Sequence, residues 1–105
     1  LCDRRQRQMC IRDSHYHETD EEVFYIISGT GIVRTINGDV TVKAGDAITF
    51  PAGPEGAHVI RNGSDTEKLV YIDFDTNNLP EIVHFPDTNQ VMAYGKFSNG
   101  IYDKK

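Results

Sequence analysis

Residues 21–27, Glu21-Glu22-Val23-Phe24-Tyr25-Ile26-Ile27, form a run of β-branched and aromatic side chains. Ser28-Gly29-Thr30-Gly31 closes the run, so it reads as a strand ended by a turn. Working outward, Ile32 to Ile36 is the next strand. Asn37-Gly38 then predicts a hairpin with a type I′ turn, which needs positive φ at both central positions. Asp39 to Lys43 returns, with Val40 and Val42 on one face and Thr41 and Lys43 on the other. Ala44-Gly45-Asp46 turns the chain again before a short strand, Ala47 to Phe50.

Pro51 to Gly56 is a loop, because Pro and Gly at that density leave too few backbone donors for a ladder. Ala57 to Arg61 and Lys68 to Asp75 follow as strands, separated by the Asn62-Gly63-Ser64-Asp65 turn. In the second, Leu69, Tyr71, Asp73 and Asp75 share one face, and Val70, Ile72 and Phe74 the other. The tail from residue 76 reads as less regular, with Glu81 to Phe85 and Gln90 to Phe97 as edge strands. No helical period is sustained over three turns. Many short strands about ten residues apart make the fold class all-β: a sandwich, jelly roll or small barrel.

The chain has 105 residues, room for one domain and one core. No stretch approaches 18 consecutive apolar residues, which excludes a helical membrane span. A formal charge of -5 argues against nonspecific nucleic-acid binding, which needs a basic footprint. Residues 1–14 stand apart: they hold Arg4, Arg5, Arg7 and Arg12 and both cysteines, Cys2 and Cys10, and follow neither period. No apolar stretch follows the arginines, so they form no secretory signal. They read as a disordered arm or as a non-native leader similar to translated adapter sequence. The domain proper is expected over 15–105, truncated at its N-terminal side. That portion has 7 basic and 14 acidic residues and no cysteine, which gives no sign of an oxidising compartment and leads us to expect a cytoplasmic protein.

Four residues carry the chemistry. His15 and His17 are two apart, so an extended strand projects both from one face. Glu22 follows a polar crossing and shares its face with Phe24 and Ile26, whereas Glu21 shares a face with Val23, Tyr25 and Ile27. Parity therefore favours Glu22 over Glu21 as a ligand. His58 begins the strand beyond the Pro/Gly loop. Burying a carboxylate among apolar side chains is unfavourable by several kcal/mol unless its charge is compensated, and a divalent metal compensates it. Three imidazoles and one carboxylate suit Fe(II), Mn(II), Ni(II), Cu(II) or Zn(II), and two octahedral positions stay open. Glu18 and Asp20 read as rim charges, Asn62 as fixing the turn after its strand, and His84 as an edge or surface histidine. Tyr25, Tyr71 and Asp73 are open between pocket and surface. Glu55 sits in the loop before His58.

With these residues in place the sequence resembles the cupin superfamily. Its first motif is Gly, five residues, His-x-His, three or four residues, Glu, six residues, Gly. His15-Tyr16-His17, Glu22 and Gly29 match it, with Met9 at the leading glycine. Its second motif matches Gly45, Pro51, Gly53, His58 and Asn62, with four residues between Gly53 and His58 where the family has two. The resemblance implies a double-stranded β-helix, or jelly-roll barrel, and His15, His17, Glu22 and His58 as ligands of a divalent metal ion (Mn, Fe, Ni or Zn). It leans toward small single-domain cupins described as mannose-6-phosphate isomerase-like. The expected function is metal binding, with enzymatic turnover of isomerase or oxygenase type on a small oxygenated molecule. The alternative is noncatalytic binding of a small molecule or sugar. No Lys/Arg cluster accompanies the motif, so a phosphosugar is not supported. The family also implies a homodimer, with the outward face of residues 23–27 as the test: apolar and exposed in a monomer.

Overall fold

The computed structural model describes residues 14–97 and 99–104. The expected leader therefore falls, apart from Ser14, outside the described residues. Ten strands follow in order: β1 (Tyr16–His17), β2 (Glu22–Ser28), β3 (Thr30–Thr35), β4 (Gly38–Lys43), β5 (Ala47–Phe50), β6 (His58–Asn62), β7 (Val70–Asp75), β8 (Glu81–Phe85), β9 (Gln90–Tyr94) and β10 (Asn99–Asp103). One 3₁₀ turn, Pro54–Gly56, lies in the Pro/Gly loop. The strands make three antiparallel sheets, ordered β5-β2-β7, β4-β3-β6 and β1-β8-β9-β10.

Alternation places the core. Glu22, Phe24 and Ile26 of β2 point inward, as do Val33 of β3, Val42 of β4, Phe50 of β5 and Ile60 of β6. The apolar members form one cluster between the two three-stranded sheets, with Ile48, Leu69 and Tyr71 packed against it. Burying side chains of this size contributes about 1.5–3 kcal/mol each, offset by conformational entropy. Gly29, at φ 84, is where the chain leaves one sheet for the other, and a Cβ there would sit 2.3 Å from the Lys68 carbonyl oxygen. Only glycine fits both the backbone angle and the space.

Several expectations are corrected. Positive φ occurs at Gly38 (110°) and not at Asn37, so the hairpin turn is not type I′. Thr35 pairs with Gly38 across Ile36-Asn37, and Thr35 Oγ1 donates to the Gly38 carbonyl, so the side chain supplies an alternative way round the turn. Val40 does not share the burial of Val42; it is 43% exposed, where the edge strand β4 overhangs the core. The tail is regular: β8 lies inside its sheet, between β1 and β9, and β10 is an additional strand. β10 escaped notice because Asn99 and Gly100 are poor strand formers. The expected closed barrel is not seen among the described residues. β1 is two residues long and meets β6 only through the single His15–His58 bridge, too short a ladder to join the sheets.

Candidate metal centre

Backbone pairing assembles the site. The His15 N–H donates to the His58 carbonyl and the His58 N–H to the His15 carbonyl, each at 3.0 Å, which sets two residues 43 positions apart side by side with ring centroids 4.6 Å apart. β1 carries His17 onward, and β2 brings Glu22 opposite Phe50 on one side and Asp75 on the other. His58 is fully buried and lies flat on Phe50, with rings 3.6 Å apart and 12° from parallel. All four residues singled out from the sequence are buried together.

Their polar atoms converge on one carboxylate oxygen. Glu22 Oε1 lies 3.3 Å from His15 Nε2, 3.3 Å from His17 Nε2 and 2.9 Å from His58 Nε2. His15, His17 and Glu22 each offer an atom within 4.8 Å of the other two, and His58 joins through Glu22. Two ligands about 2.1 Å from a common ion at a right angle stand about 3.0 Å apart, so this spacing suits cis positions on one metal. His58 Nδ1 is 2.7 Å from the Gly56 carbonyl oxygen, which can only accept, so Nδ1 carries a proton and donates it there. For a neutral ring that leaves the Nε2 lone pair facing a carboxylate, an arrangement that calls for a cation. Glu22 Oε1, His58 Nε2 and His17 Nε2 are buried without a hydrogen-bond partner, which protein interiors rarely tolerate. The donor set therefore fits a divalent metal.

Charge reinforces this. Burial pushes the Glu22 carboxyl up, but the facing His15, His17 and His58 imidazoles outweigh it and hold the carboxyl far below the usual range. Burial lowers the His17 pKa, and the Glu22 carboxylate more than reverses it, so His17 ends raised. Beside the ligands is a cavity of about 120 Å³ lined by His15, His17, Glu22, Asp73, Asp75 and Tyr94. Asp73 thus belongs to the pocket, not the surface. Burial, and then the Glu22 and Asp75 carboxylates, push its carboxyl up to about 9. Burial and the surrounding carboxylates likewise push the Tyr94 phenol up to about 12. Among the described residues, no Lys or Arg lines this cavity.

Two acidic groups stand behind the site, one that the sequence reading put at the rim, Asp20, and one that it did not single out, Glu81. Asp20, expected at the rim, is buried; its Oδ1 accepts from the Asn78 N–H and the Thr76 hydroxyl, which replace its water. Glu81 is 1% exposed and accepts from the backbone N–H groups of Thr19, Asp20 and Ile82. Burial pushes its carboxyl up, but those N–H groups outweigh burial and lower it. Its Oε2 is 3.7 Å from His17 Nδ1. A local signal existed: Glu81 has the parity of Val83 and Phe85, both buried in β8.

The other candidates lie off the centre. Glu21 is exposed, and its N–H donates to Thr76. His84 pairs with Glu18 and stacks on Tyr16, away from the ligands. Tyr25 points outward at 42% exposure, while Tyr71 packs on Phe24 with centroids 5.0 Å apart. Glu55 is exposed in the loop. Asn62 fixes its turn as expected, accepting from the Ser64 N–H and donating to the Glu67 carbonyl.

Comparison with known proteins agrees with this architecture. A "Probable oxalate decarboxylase" of Arthroderma benhamiae is 39% identical over 72 residues, 60% of this chain and 16% of that protein. An "Oxalate-binding protein" of Thermotoga maritima is 36% identical over 53 residues, 50% of this chain and 42% of that protein. The chain thus spans less than half the length of these curated relatives. A crystal structure described as a sugar phosphate isomerase from a cupin superfamily, from Silicibacter pomeroyi, superposes with a TM-score of 0.81 at 21% identity, covering 88% of this chain and 58% of the other. That likeness shows the fold. The Cupin domain family model matches residues 11–75, more than half of the sequence. The chain belongs to the cupin family.

Proposed function

We propose that this chain is a metal-binding cupin domain that holds one divalent ion with His15, His17, Glu22 and His58 and offers it to a small oxygenated acid. One observation carries this reading: three buried Nε2 atoms lie within 3.3 Å of a single buried carboxylate oxygen. The bound ion would act as a Lewis acid toward a carboxylate or carbonyl oxygen. A cavity of about 120 Å³ suits a compact ligand. Among the described residues its lining holds carboxylates and no Lys or Arg, so within that lining an anion would depend on the ion. The names of the relatives, oxalate decarboxylase and oxalate-binding protein, make oxalate the first ligand to test. A phosphosugar fits this lining poorly.

Turnover of isomerase or oxygenase type needs a group to move a proton. We assign that role to Asp73, whose carboxyl lines the cavity beside Glu22. Noncatalytic binding of a small acid uses the same lining without that role, and the Thermotoga relative's name favours it. The deciding experiment is calorimetric titration of oxalate into metal-loaded and chelator-stripped protein, after elemental analysis for Mn, Fe, Ni and Zn. One ion per chain and binding confined to the loaded form are expected. Equal binding by the stripped form, or a protein that takes up no ion, overturns the reading.

A second copy of the chain is the expected partner. The outward face of the β5-β2-β7 sheet exposes Tyr25 (42%), Ile27 (48%), Val70 (39%) and Phe74 (54%), a contiguous apolar surface of the kind that pairs.

A further inference from the structure

Resting on the metal reading above, we infer that Glu81 is a positioning residue for the centre: its carboxylate faces the Nδ1–H of His17 across 3.7 Å and so favours the tautomer and ring orientation that direct Nε2 toward the ion. The chemistry of the ring requires such a partner. An imidazole that ligates through Nε2 keeps its proton on Nδ1, and a buried N–H needs an acceptor. His17 Nδ1 is buried and has no hydrogen-bond partner, with Glu81 Oε2 at 3.7 Å. Glu81 is also the fixed member of the pair. The Thr19, Asp20 and Ile82 N–H groups grip its carboxylate at 2.7–3.3 Å, and its side chain is fully buried.

Asp20 is the other acid of this cluster. Its Oδ1 is occupied by Asn78 and Thr76, which directs that oxygen to the 76–78 loop. Glu81 does two things with one carboxylate: it ties the β1–β2 crossing to β8, and it faces His17. Carboxylate partners of ligating histidines raise ligand basicity and lock ring orientation, and their loss typically weakens metal affinity about 10–100-fold.

The test uses Co²⁺ as the probe, with chelator competition giving the Kd and the visible absorption of bound Co²⁺ reporting ligand geometry. Glu81→Gln keeps the size and one acceptor oxygen but loses the charge. It is expected to raise the Co²⁺ Kd about tenfold or more and to shift the absorption bands. Thr76→Val cuts two hydrogen bonds of the same crossing, to Asp20 and from the Glu21 N–H, without touching His17. It is expected to lower the metal-free Tm and leave the Kd within twofold. A Glu81→Gln Kd within twofold of the parent overturns the assignment, as does a Thr76→Val loss of affinity equal to that of Glu81→Gln. If Glu81→Gln does not fold, the parent decides: with Zn²⁺ bound, the His17 Nδ1 proton should appear in ¹⁵N-edited NMR as slowly exchanging, and a rapidly exchanging proton overturns the assignment. A parent that binds neither ion sinks the metal reading itself, an outcome distinct from a parent that binds and a variant that binds equally.

Discussion

Replacing His58 separates coordination from packing, because its ring serves both. It is fully buried, flat on Phe50 at 3.6 Å and edge-on to Phe24 at 5.2 Å, and its Nδ1–H donates to Gly56. His58→Ala therefore opens a cavity and drops one buried hydrogen bond, a loss of about 3–5 kcal/mol by comparison with aromatic truncations elsewhere. For a domain of this size, that lowers Tm by roughly 12–40 °C. His58→Leu fills most of the space with no nitrogen and should keep part of that stability. The metal-dependent component behaves differently. At an ion concentration 100 times the parent Kd, binding stabilises the parent by about 2.7 kcal/mol. If losing one of four ligands weakens binding 100-fold, the same concentration stabilises either variant by only about 0.4 kcal/mol. Thermal melts followed by circular dichroism, with and without ion, measure both quantities. The expected pattern is a metal-induced rise in Tm that collapses equally in both variants, on top of metal-free Tm values that differ. A rise in His58→Leu as large as the parent's would falsify the assignment of His58 as a ligand.

Three further outcomes follow from other parts of the molecule. Gly29→Ala should destabilise by about 1–3 kcal/mol in urea titration, since φ is +84° there and the Lys68 carbonyl oxygen lies 2.3 Å from where the Cβ would stand; an unchanged midpoint would refute the steric reading. Phe74→Lys should convert a dimer to a monomer in sedimentation equilibrium while leaving metal content intact, and a parent that sediments as a monomer ends the dimer proposal. Tyr94 is raised from 10.0 to about 12 by burial and nearby carboxylates, so the folded chain holds a proton that the unfolded chain releases between those values. Its contribution is present below pH 10 and is lost as pH rises through 12, so Tyr94→Phe should flatten that part of the alkaline limb in metal-free denaturation. An identical limb in the variant would show that the phenol does not drive it.

What was legible in the sequence was whatever repeats over two residues or a few. The alternation of Glu22, Phe24 and Ile26 separates an inward acid from an outward one, and it is why Glu22 rather than Glu21 was singled out. His15 and His17 on one face is likewise a local fact of an extended chain. The turn at Gly38 failed for a local reason too, since Asn-Gly permits more than one turn geometry and the Thr35 side chain takes part in the choice.

By itself, then, the sequence determined an all-β chain and the inward-facing residues of β2, and it marked four residues whose side chains the fold brings together. Only the tertiary structure decided that β8 lies inside a sheet, that Asp20 is buried and that Glu81 stands behind His17. Those outcomes depend on contacts between segments about 60 residues apart: the Asn78 N–H that replaces water at Asp20, and the Thr19 and Asp20 N–H groups that hold Glu81. Side-chain periodicity reports which way a residue faces within its own strand. Whether a buried acid finds its donors is set by which strands meet, and no local pattern encodes that.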